Sequence, residues 1–393
     1  MNEELKYAVA NMEHAKLRTL LTVLGIVIGV AIIVAILALG TGMRYSINQH
    51  LEALGSDKIV VSPAQAMSGM PTELAPFTSA DIRELSRLPG VKDVLPMFYR
   101  PAVGEYRGES ADIYVMGVEP RGINYFTEFY SIREGRMFRS AETRSAVIGY
   151  WIAKKVFSRE VGAGDVIKVN GRSFRVVGVL NEIGSPEDDT TVYIPLSSAQ
   201  KLYGTGDEVT MIWVVVENPE RVEVVAKRVE EVLERRRGGK DFQVFTPKEI
   251  AEQVDRVLDI VSFVLGGIAG ISMVVGGVII MNTLLTSVME RTREIGVMKA
   301  VGASSMQVLR IFLIEAALIG LTGGVLGVVL GSVLAKLIEL AGRAYMGSGF
   351  VVLITPELVL FSLAFALLVG VLSGLYPAYR ASRLEPVEAL RYE

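Results

Sequence analysis

The sequence predicts a membrane α-helical protein with four transmembrane helices and an extracytoplasmic α+β domain between helices 1 and 2. Apolar residues make up 51% and charged residues 21% of the 393 residues. That balance is too apolar for an ordinary soluble chain and too charged for a chain lying wholly in lipid. Four runs without Asp, Glu, Lys or Arg reach the ~20 residues that cross a bilayer. A long segment between the first two runs has the alternating pattern of a soluble domain.

The same composition excludes several classes of protein. The formal net charge is −3, so a strongly basic nucleic-acid-binding protein is excluded and no nucleic acid is expected as a partner. The chain has no Cys, which excludes disulfide frameworks and Cys-based zinc or iron–sulfur sites. Its two histidines, His14 and His50, are too few for a His-rich centre, so we expect no metal site and no catalytic residue.

The charge-free runs divide the chain into spans and loops. The first run is longer than the ~7–15 apolar residues of a signal peptide, so we expect a retained anchor. The predicted segments are a cytoplasmic amphipathic helix at 1–18, the first span at 19–43, a stalk at 44–57, an outer core domain at 58–245 with an insert at about 120–207, a second stalk at 246–259, the second span at 260–289, a cytoplasmic loop at 290–307, the third span at 308–335, an outer loop at 336–357, the fourth span at 358–379 and a cytoplasmic tail at 380–393.

Lysine and arginine predict the orientation of these segments. Residues 1–18, 290–307 and 380–393 each contain three Lys or Arg, whereas 336–357 contains two. Because short cytoplasmic segments carry the excess of positive charge, both termini and the 290–307 loop are expected in the cytoplasm. The protein is then a multi-pass protein of the cell (cytoplasmic or inner) membrane, with 44–259 outside.

The outer segment has the pattern of two strand–helix–strand units, near 58–118 and near 209–245. Two such units predict one ferredoxin-like subdomain, with an inserted β-rich subdomain between them. Within the insert, Asn170-Gly171 separates two apolar strands. This pair predicts a tight hairpin, because both central residues of the turn need positive φ.

Helical stripes continue from the spans into the outer segment. Thr246-Pro247-Lys248-Glu249 is a capping box that starts a helix running into the second span, and the stripe after the first span ends at Gly55. Two extensions of roughly 20 Å each would form a rigid stalk. The alternative is two frayed helix ends with a chance stripe.

Glycine pairs with G-x-x-x-G spacing occur in every predicted span. This spacing lets helix backbones approach closely in lipid, although glycine is common in membrane helices generally. We therefore predict a tightly packed bundle or dimer, while the pairing of the helices stays open. The predicted packing residues are Gly25, Gly29, Gly266, Gly270, Gly320, Gly324, Gly327, Gly331, Gly370 and Gly374.

The 290–307 loop predicts a short helix lying across the membrane face. It is apolar at Ile295, Val297, Met298 and Val301, and Gly302 is a natural stop. Such a helix either rests on lipid headgroups or docks a cytoplasmic partner. The spacing alone favours neither alternative.

These residues also carry a resemblance to a known family. The loop stretch Glu290–Ala303 resembles the signature of the MacB/FtsX-like permeases of ABC transporters. Matches to other signatures of that family occur in an order that fits the predicted topology. They are the anchor at 11–42, Leu88-Pro89-Gly90-Val91, Tyr193-Ile194-Pro195-Leu196, Tyr376-Pro377-Ala378 and the tail at 380–391.

The resemblance implies a permease paired with a second copy or a paralogue, above a cytoplasmic ABC ATPase dimer that carries the ATP and Mg. Membrane lipid and an extracytoplasmic adaptor or substrate protein are further implied partners. ATPase closure would pass through the stalk to the outer domain (mechanotransmission), for export or extraction of a peptide, drug, lipid or lipoprotein. The implied ATPase-coupling residues are Glu290, Arg291, Arg293, Glu294, Ile295, Gly296, Met298, Lys299, Ala300 and Gly302.

The sequence departs from MacB itself, which fuses its ATPase to the permease. It has no G-x-x-x-x-G-K-[ST] phosphate loop, so we expect the ATPase on a separate chain, no cofactor here and no enzymatic activity. The alternative function is an FtsX-like transmitter that regulates an extracytoplasmic cell-wall hydrolase, although the large outer domain favours export. A membrane enzyme is disfavoured because no nucleophile–base pair or metal cluster is evident.

Three acidic residues are predicted to be structural. Glu315 lies inside the third span with Arg310 five residues before it, and we expect it to reach that arginine or headgroup water. Asp188 and Asp189 follow a Gly/Pro-containing loop without a base or metal partner, so we expect them to be solvated.

Overall fold

The computed structural model describes residues 16–64, 76–126, 130–139 and 141–391. Residues 1–15 of the predicted amino-terminal helix and 392–393 of the predicted tail lie outside the described residues. The chain forms two compact units. The helical unit contains the described residues up to Met43, Val257–Ala341 and those from Val351 onward; the sheet unit contains Arg44–Arg256 and Gly342–Phe350.

The described helices include four that are long and apolar enough to cross a membrane, which confirms the predicted number of spans. These four are α1, α7, α9 and α10. The helices are α1 (Lys16–Leu54), α2 (Ser79–Leu85), α3 (Pro120–Ile123), α4 (Pro186–Asp189), α5 (Leu196–Tyr203), α6 (Val222–Arg237), α7 (Pro247–Glu290), α8 (Thr292–Ala300), α9 (Ser305–Met346), α10 (Pro356–Ser382) and α11 (Pro386–Arg391).

Local signals set the ends of α1 and α7. Gly55, with φ of 88°, follows the last residue of α1. At the start of α7, the Thr246 N–H donates to Glu249 Oε2 at 2.9 Å, and the Glu249 N–H donates to Thr246 Oγ1 at 3.2 Å. Both helices continue past the charge-free runs without a break. In the sheet unit, an Arg44–Asp255 ion pair of 3.4 Å joins the two extensions.

The sheet unit is built on a ten-stranded sheet. Its order is β10-β1-β9-β2-β3-β8-β5-β7-β4, and β6 pairs with β2 and β7. The strands are β1 (Lys58–Pro63), β2 (Val91–Tyr106), β3 (Glu109–Val118), β4 (Ile132–Gly135), β5 (Ser145–Ile148), β6 (Val166–Val169), β7 (Arg172–Leu180), β8 (Thr191–Pro195), β9 (Met211–Val216) and β10 (Phe242–Phe245).

Strand β2 extends through both parts of this sheet. Its first half pairs with β9, while its second half pairs with β3 and β6. Strand β3 also pairs in parallel with β8, so it lies with the inserted strands. The sequence had predicted it as part of the first strand–helix–strand unit, near 58–118. A two-residue turn returns the chain at this point, with positive φ at Arg107 (49°) and Gly108 (89°).

The predicted hairpin in the insert is confirmed. Strands β6 and β7 pair antiparallel around Asn170 and Gly171, whose φ angles are 47° and 78°. The Asn170 side chain also accepts a hydrogen bond from the Val103 N–H at 2.9 Å, which ties the turn to β2. The turn therefore holds the end of β6 against the long strand.

The sheet is covered on both faces. In β9, Ile212 and Val214 pack into one apolar cluster together with Val225 and Val229 of α6. Val215, on the opposite face of the same strand, belongs to a second cluster. Because successive side chains of a strand point to opposite faces, a strand apolar at every position is expected where both faces are buried.

Candidate functional site

Helix α8 is fixed by one apolar face. It begins one residue after α7 ends, with only Arg291 between them. Ile295 is 1% exposed and packs with Val308 and Phe312 of α9 and with Ala378 of α10. Burying an Ile side chain stabilises by about 1.5–3 kcal/mol. The short helix is therefore held against two of the long apolar helices.

Lys299 adds a polar anchor to this attachment. Its Nζ donates to the carbonyl oxygens of Ser382 at 2.6 Å and Leu384 at 2.8 Å. These carbonyls lie at the carboxyl end of α10, where helix carbonyls lack intrahelical donors and the helix dipole favours a cation. Lys299 therefore holds α8 to α10.

The surroundings of α8 complete its support. Gly302, with φ of 109°, follows the helix. Ser304 caps α9, because its Oγ accepts the Gln307 N–H at 3.3 Å and its own N–H donates to Gln307 Oε1 at 2.7 Å. Helix α11 packs on α8, and its Ala389 is 1% exposed. The loop is thus a compact arrangement of helix ends.

The other face of α8 is exposed within the described part of the chain. Val297 is 48% exposed and Val301, directly after the helix, is 85% exposed. The implied coupling residues divide between the two faces: Ile295 and Gly296 are buried, Arg291, Met298 and Lys299 are partly buried, and Glu290, Arg293, Glu294, Ala300 and Gly302 are exposed. The exposed set places charged and small residues around the two valines.

An ion pair links the start of this loop to α9. Arg291 Nη1 lies 3.8 Å from Glu315 Oε2, and the side chains are 18% and 7% exposed. Glu315 was expected to reach Arg310 or headgroup water, and the ion pair recorded for it among the described residues is with Arg291 instead. Residues five apart do not share a helix face, whereas Arg291 approaches from outside the helix. Sequence spacing could not reveal this partner.

The glycines of α9 and α10 lie where the two helices touch. A Cβ added to Gly320 would be 2.7 Å from the Ala366 carbonyl oxygen, and one added to Gly370 would be 2.8 Å from the Ala316 carbonyl oxygen. Gly324 and Gly374 likewise face alanine side chains across the same contact. Only residues without a side chain allow this separation.

A second glycine seam lies along α1. A Cβ on Gly331 would be 2.7 Å from the Ala31 carbonyl oxygen, and one on Gly327 would be 2.6 Å from Val30 Cβ. On the α7 side, a Cβ added to Gly25 would be 3.3 Å from Gly276 Cα, and one added to Gly29 would meet the Met273 side chain. The spacing rule missed Gly276, because the residue four positions earlier is a serine, which also permits close approach.

Gly266 and Gly270 differ from the other predicted packing residues. A Cβ at either position would have no neighbour within 4 Å among the described residues. Phe263, one turn before Gly266, is 83% exposed. This face of α7 has no partner within the described chain, so the predicted packing of this pair stays a prediction.

The sheet unit contains a buried acidic loop that the sequence did not reveal. Asp189 is fully buried and accepts the N–H groups of Ile183 and Gly184, each at 3.0 Å, so the expectation of a solvated carboxylate is wrong here. Burial, followed by the nearby acidic groups, raises the pKa of Asp188 to about 6. A Cβ on Gly184 would be 2.6 Å from the Gly349 N, so this loop touches the 342–350 segment.

No side-chain group in the described ranges has the composition of a metal site. The described ranges contain no cluster of three or more His, Asp or Glu side chains that could hold an ion.

Known ABC transporter permeases match this chain over its whole length. The family described as "MacB-like periplasmic core domain" matches residues 19–232, and the "FtsX-like permease C-terminal" family matches 266–386. The chain is 35% identical to the ABC transporter permease MJ1507 of Methanocaldococcus jannaschii, over 100% of this chain and 98% of that protein. It is 31% identical to the ABC transporter permease YknZ of Bacillus subtilis, over 100% and 99%.

A further relative is longer than this chain. The macrolide export ATP-binding/permease protein MacB of Bdellovibrio bacteriovorus is 34% identical over 100% of this chain but only 62% of its own length. The chain therefore aligns with nearly all of the first two relatives and with part of the third.

Proposed function

Because the chain belongs to the MacB-type family of ABC transporter permeases, we propose that it couples ATP hydrolysis by a separate cytoplasmic ATPase dimer to movement of its outer domain. Family membership rests on the whole-chain matches at 31–35% identity, and it confirms the resemblance found in the loop. The protein is a membrane permease with a MacB-like extracytoplasmic domain. The coupling mechanism is the proposal.

The observation that carries the proposal is the two-sided character of α8. Its inner face is held by Ile295 and Lys299, while Val297 and Val301 are exposed beside charged residues. A docking element must be rigidly mounted in order to transmit displacement, and it must present apolar area to its partner. An α8 lying only on lipid headgroups would not need the Lys299 anchor.

The route from α8 to the outer domain is one unbroken helix. Helix α7 has 44 residues and ends next to α8. At 1.5 Å per residue it is about 66 Å long, enough to cross the membrane and continue beyond it. In the proposed mechanism both termini and α8 are cytoplasmic, and movement of α8 displaces α7 along its length.

The finer features of the fold fit this mechanism. The order β10-β1-β9-β2, with α2 and α6 in the connections, supports a ferredoxin-like subdomain in the outer domain. The open Gly266 and Gly270 face of α7 supports pairing with a second permease copy in the lipid. For the cargo, the proposal is export or extraction of a peptide, drug, lipid or lipoprotein, with ATP and Mg bound by the ATPase.

The test uses the full chain co-expressed with its ABC ATPase and reconstituted in nanodiscs. Val297→Asp with Val301→Asp places two charges on the exposed face and should abolish co-purification and stimulated ATP hydrolysis. Val224→Asp is the matched control, because Val224 is 52% exposed on α6 in the sheet unit. Full ATPase binding and stimulation by the double variant would overturn the assignment of α8 as the docking element.

A further inference from the structure

A cavity in the sheet unit collects basic side chains and hydroxyl groups. Its volume is about 490 Å³. Pockets of roughly 300–1,000 Å³ are typical of sites for small ligands. The lining residues are Thr143, Arg144, Arg172, Ser173, Phe174, Ser198 and Lys201.

Three separate elements form this cavity, and hydrogen bonds fix them together. Arg144 directly precedes β5, and its carbonyl oxygen accepts the N–H of Arg175 in β7 at 2.8 Å. Ser198 of α5 donates its hydroxyl to the Thr143 carbonyl oxygen at 2.7 Å. The cavity is therefore a product of the tertiary fold rather than of one flexible loop.

The basic groups of the cavity have no carboxylate partner among the described residues. No carboxylate lines it, and among the described residues no carboxylate oxygen lies within 4.0 Å of Arg144, Arg172 or Lys201. The acidic residue nearest in sequence, Glu142, pairs with Arg136 at 2.8 Å. Like charges gathered in a concave site produce a positive potential that attracts anions.

We propose that this basic cavity binds a ligand through a phosphate group. Arginine presents several donors that match the oxygens of a phosphate, and lysine adds a further charge. The Ser173 and Thr143 hydroxyls also line the cavity and can donate hydrogen bonds. Phe174 is 4% exposed and belongs to the apolar cluster of the sheet unit, so it supports the floor of the cavity.

This proposal is independent of the coupling mechanism, because it concerns side chains of the sheet unit and needs no ATPase. A phosphate group could belong to a free solute or to a lipid headgroup. Both sources present anionic phosphate oxygens to Arg144, Arg172 and Lys201, so separate probes must distinguish them.

The test is calorimetric titration of the full chain in nanodiscs of neutral phosphatidylcholine. Inorganic pyrophosphate represents the free solute, and dihexanoyl phosphatidylglycerol, with dihexanoyl phosphatidylcholine as its reference, represents the lipid headgroup. The variant is Arg144→Gln, Arg172→Gln, Lys201→Gln. The matched control, Arg87→Gln, Arg159→Gln, Lys227→Gln, removes the same charge from exposed positions of the sheet unit.

The cavity variant should bind the active probe at least about tenfold more weakly, because each lost charged hydrogen bond weakens binding severalfold. The control should keep the parent affinity. Hydrogen exchange should show protection of 143–145, 172–175 and 198–203 on binding, in the parent only. If neither probe bound, or if both triple variants weakened binding equally, the proposal would be overturned.

Discussion

Replacing Lys299 by methionine should loosen α8 while leaving the rest of the helical unit folded. Methionine keeps most of the length and apolar character of the lysine stem, but removes the donor. The carbonyl oxygens of Ser382 and Leu384, now 2.6 and 2.8 Å from Nζ, lose that partner. The change therefore tests the polar anchor without creating a cavity.

The size of the effect follows from those two contacts. A hydrogen bond to a charged group contributes about 1.5–3 kcal/mol when the partner is buried. Lys299 is only partly buried, and water can replace it at the end of α10, so we expect a loss of about 2 kcal/mol for both contacts together. That loss raises the population of locally opened α8 by about 30-fold.

The assay is amide hydrogen exchange of peptides covering 292–300 in the full chain. The Lys299→Met variant should exchange about 30-fold faster there, with α9 and α10 unchanged. Arg293→Met is the matched control, since Arg293 is an exposed cation of the same helix. Parent-like exchange in Lys299→Met, or equal acceleration in the control, would refute the view that Lys299 holds α8 in place.

Three other predictions concern buried groups. Burial is the main cause that raises the pKa of Asp188 from 3.8 to about 6, so ionising this carboxyl lowers the free energy of unfolding by at most about 3 kcal/mol. The free energy of unfolding therefore rises as the pH falls from about 6 towards 3.8. Asp188→Asn should raise Tm at pH 7.5 and raise it less at pH 5, and equal gains at the two pH values would contradict this. Gly331→Ala should lower the free energy of unfolding by about 1–3 kcal/mol, because the added methyl group overpacks against Ala31. Gly267→Ala is its control: this position has no neighbour within 4 Å in the described chain, so the free energy of unfolding of the monomer should not change. Arg291→Met should cost about 3–5 kcal/mol by leaving Glu315 buried alone, and adding Glu315→Met should recover most of the Tm; no recovery would show that the pair is not the cause.

The sequence determined the features that depend on neighbouring residues. Charge-free runs were enough to identify the four spans, because crossing a bilayer requires only length and apolar character. Asn170-Gly171 identified its hairpin for the same local reason: positive φ at two adjacent residues. The 290–303 signature identified the family, because such a motif is contiguous in the chain.

The tertiary structure alone decided which distant residues meet. Lys299 contacts carbonyl groups more than 80 positions away, and Arg291 rather than Arg310 reaches Glu315. The basic cavity joins Arg144, Arg172 and Lys201 from three elements. The hydrophobic periodicity of a segment indicates only which face of its own helix or strand is apolar. The partner of that face depends on burial and hydrogen bonding summed over the whole fold, which no local pattern contains.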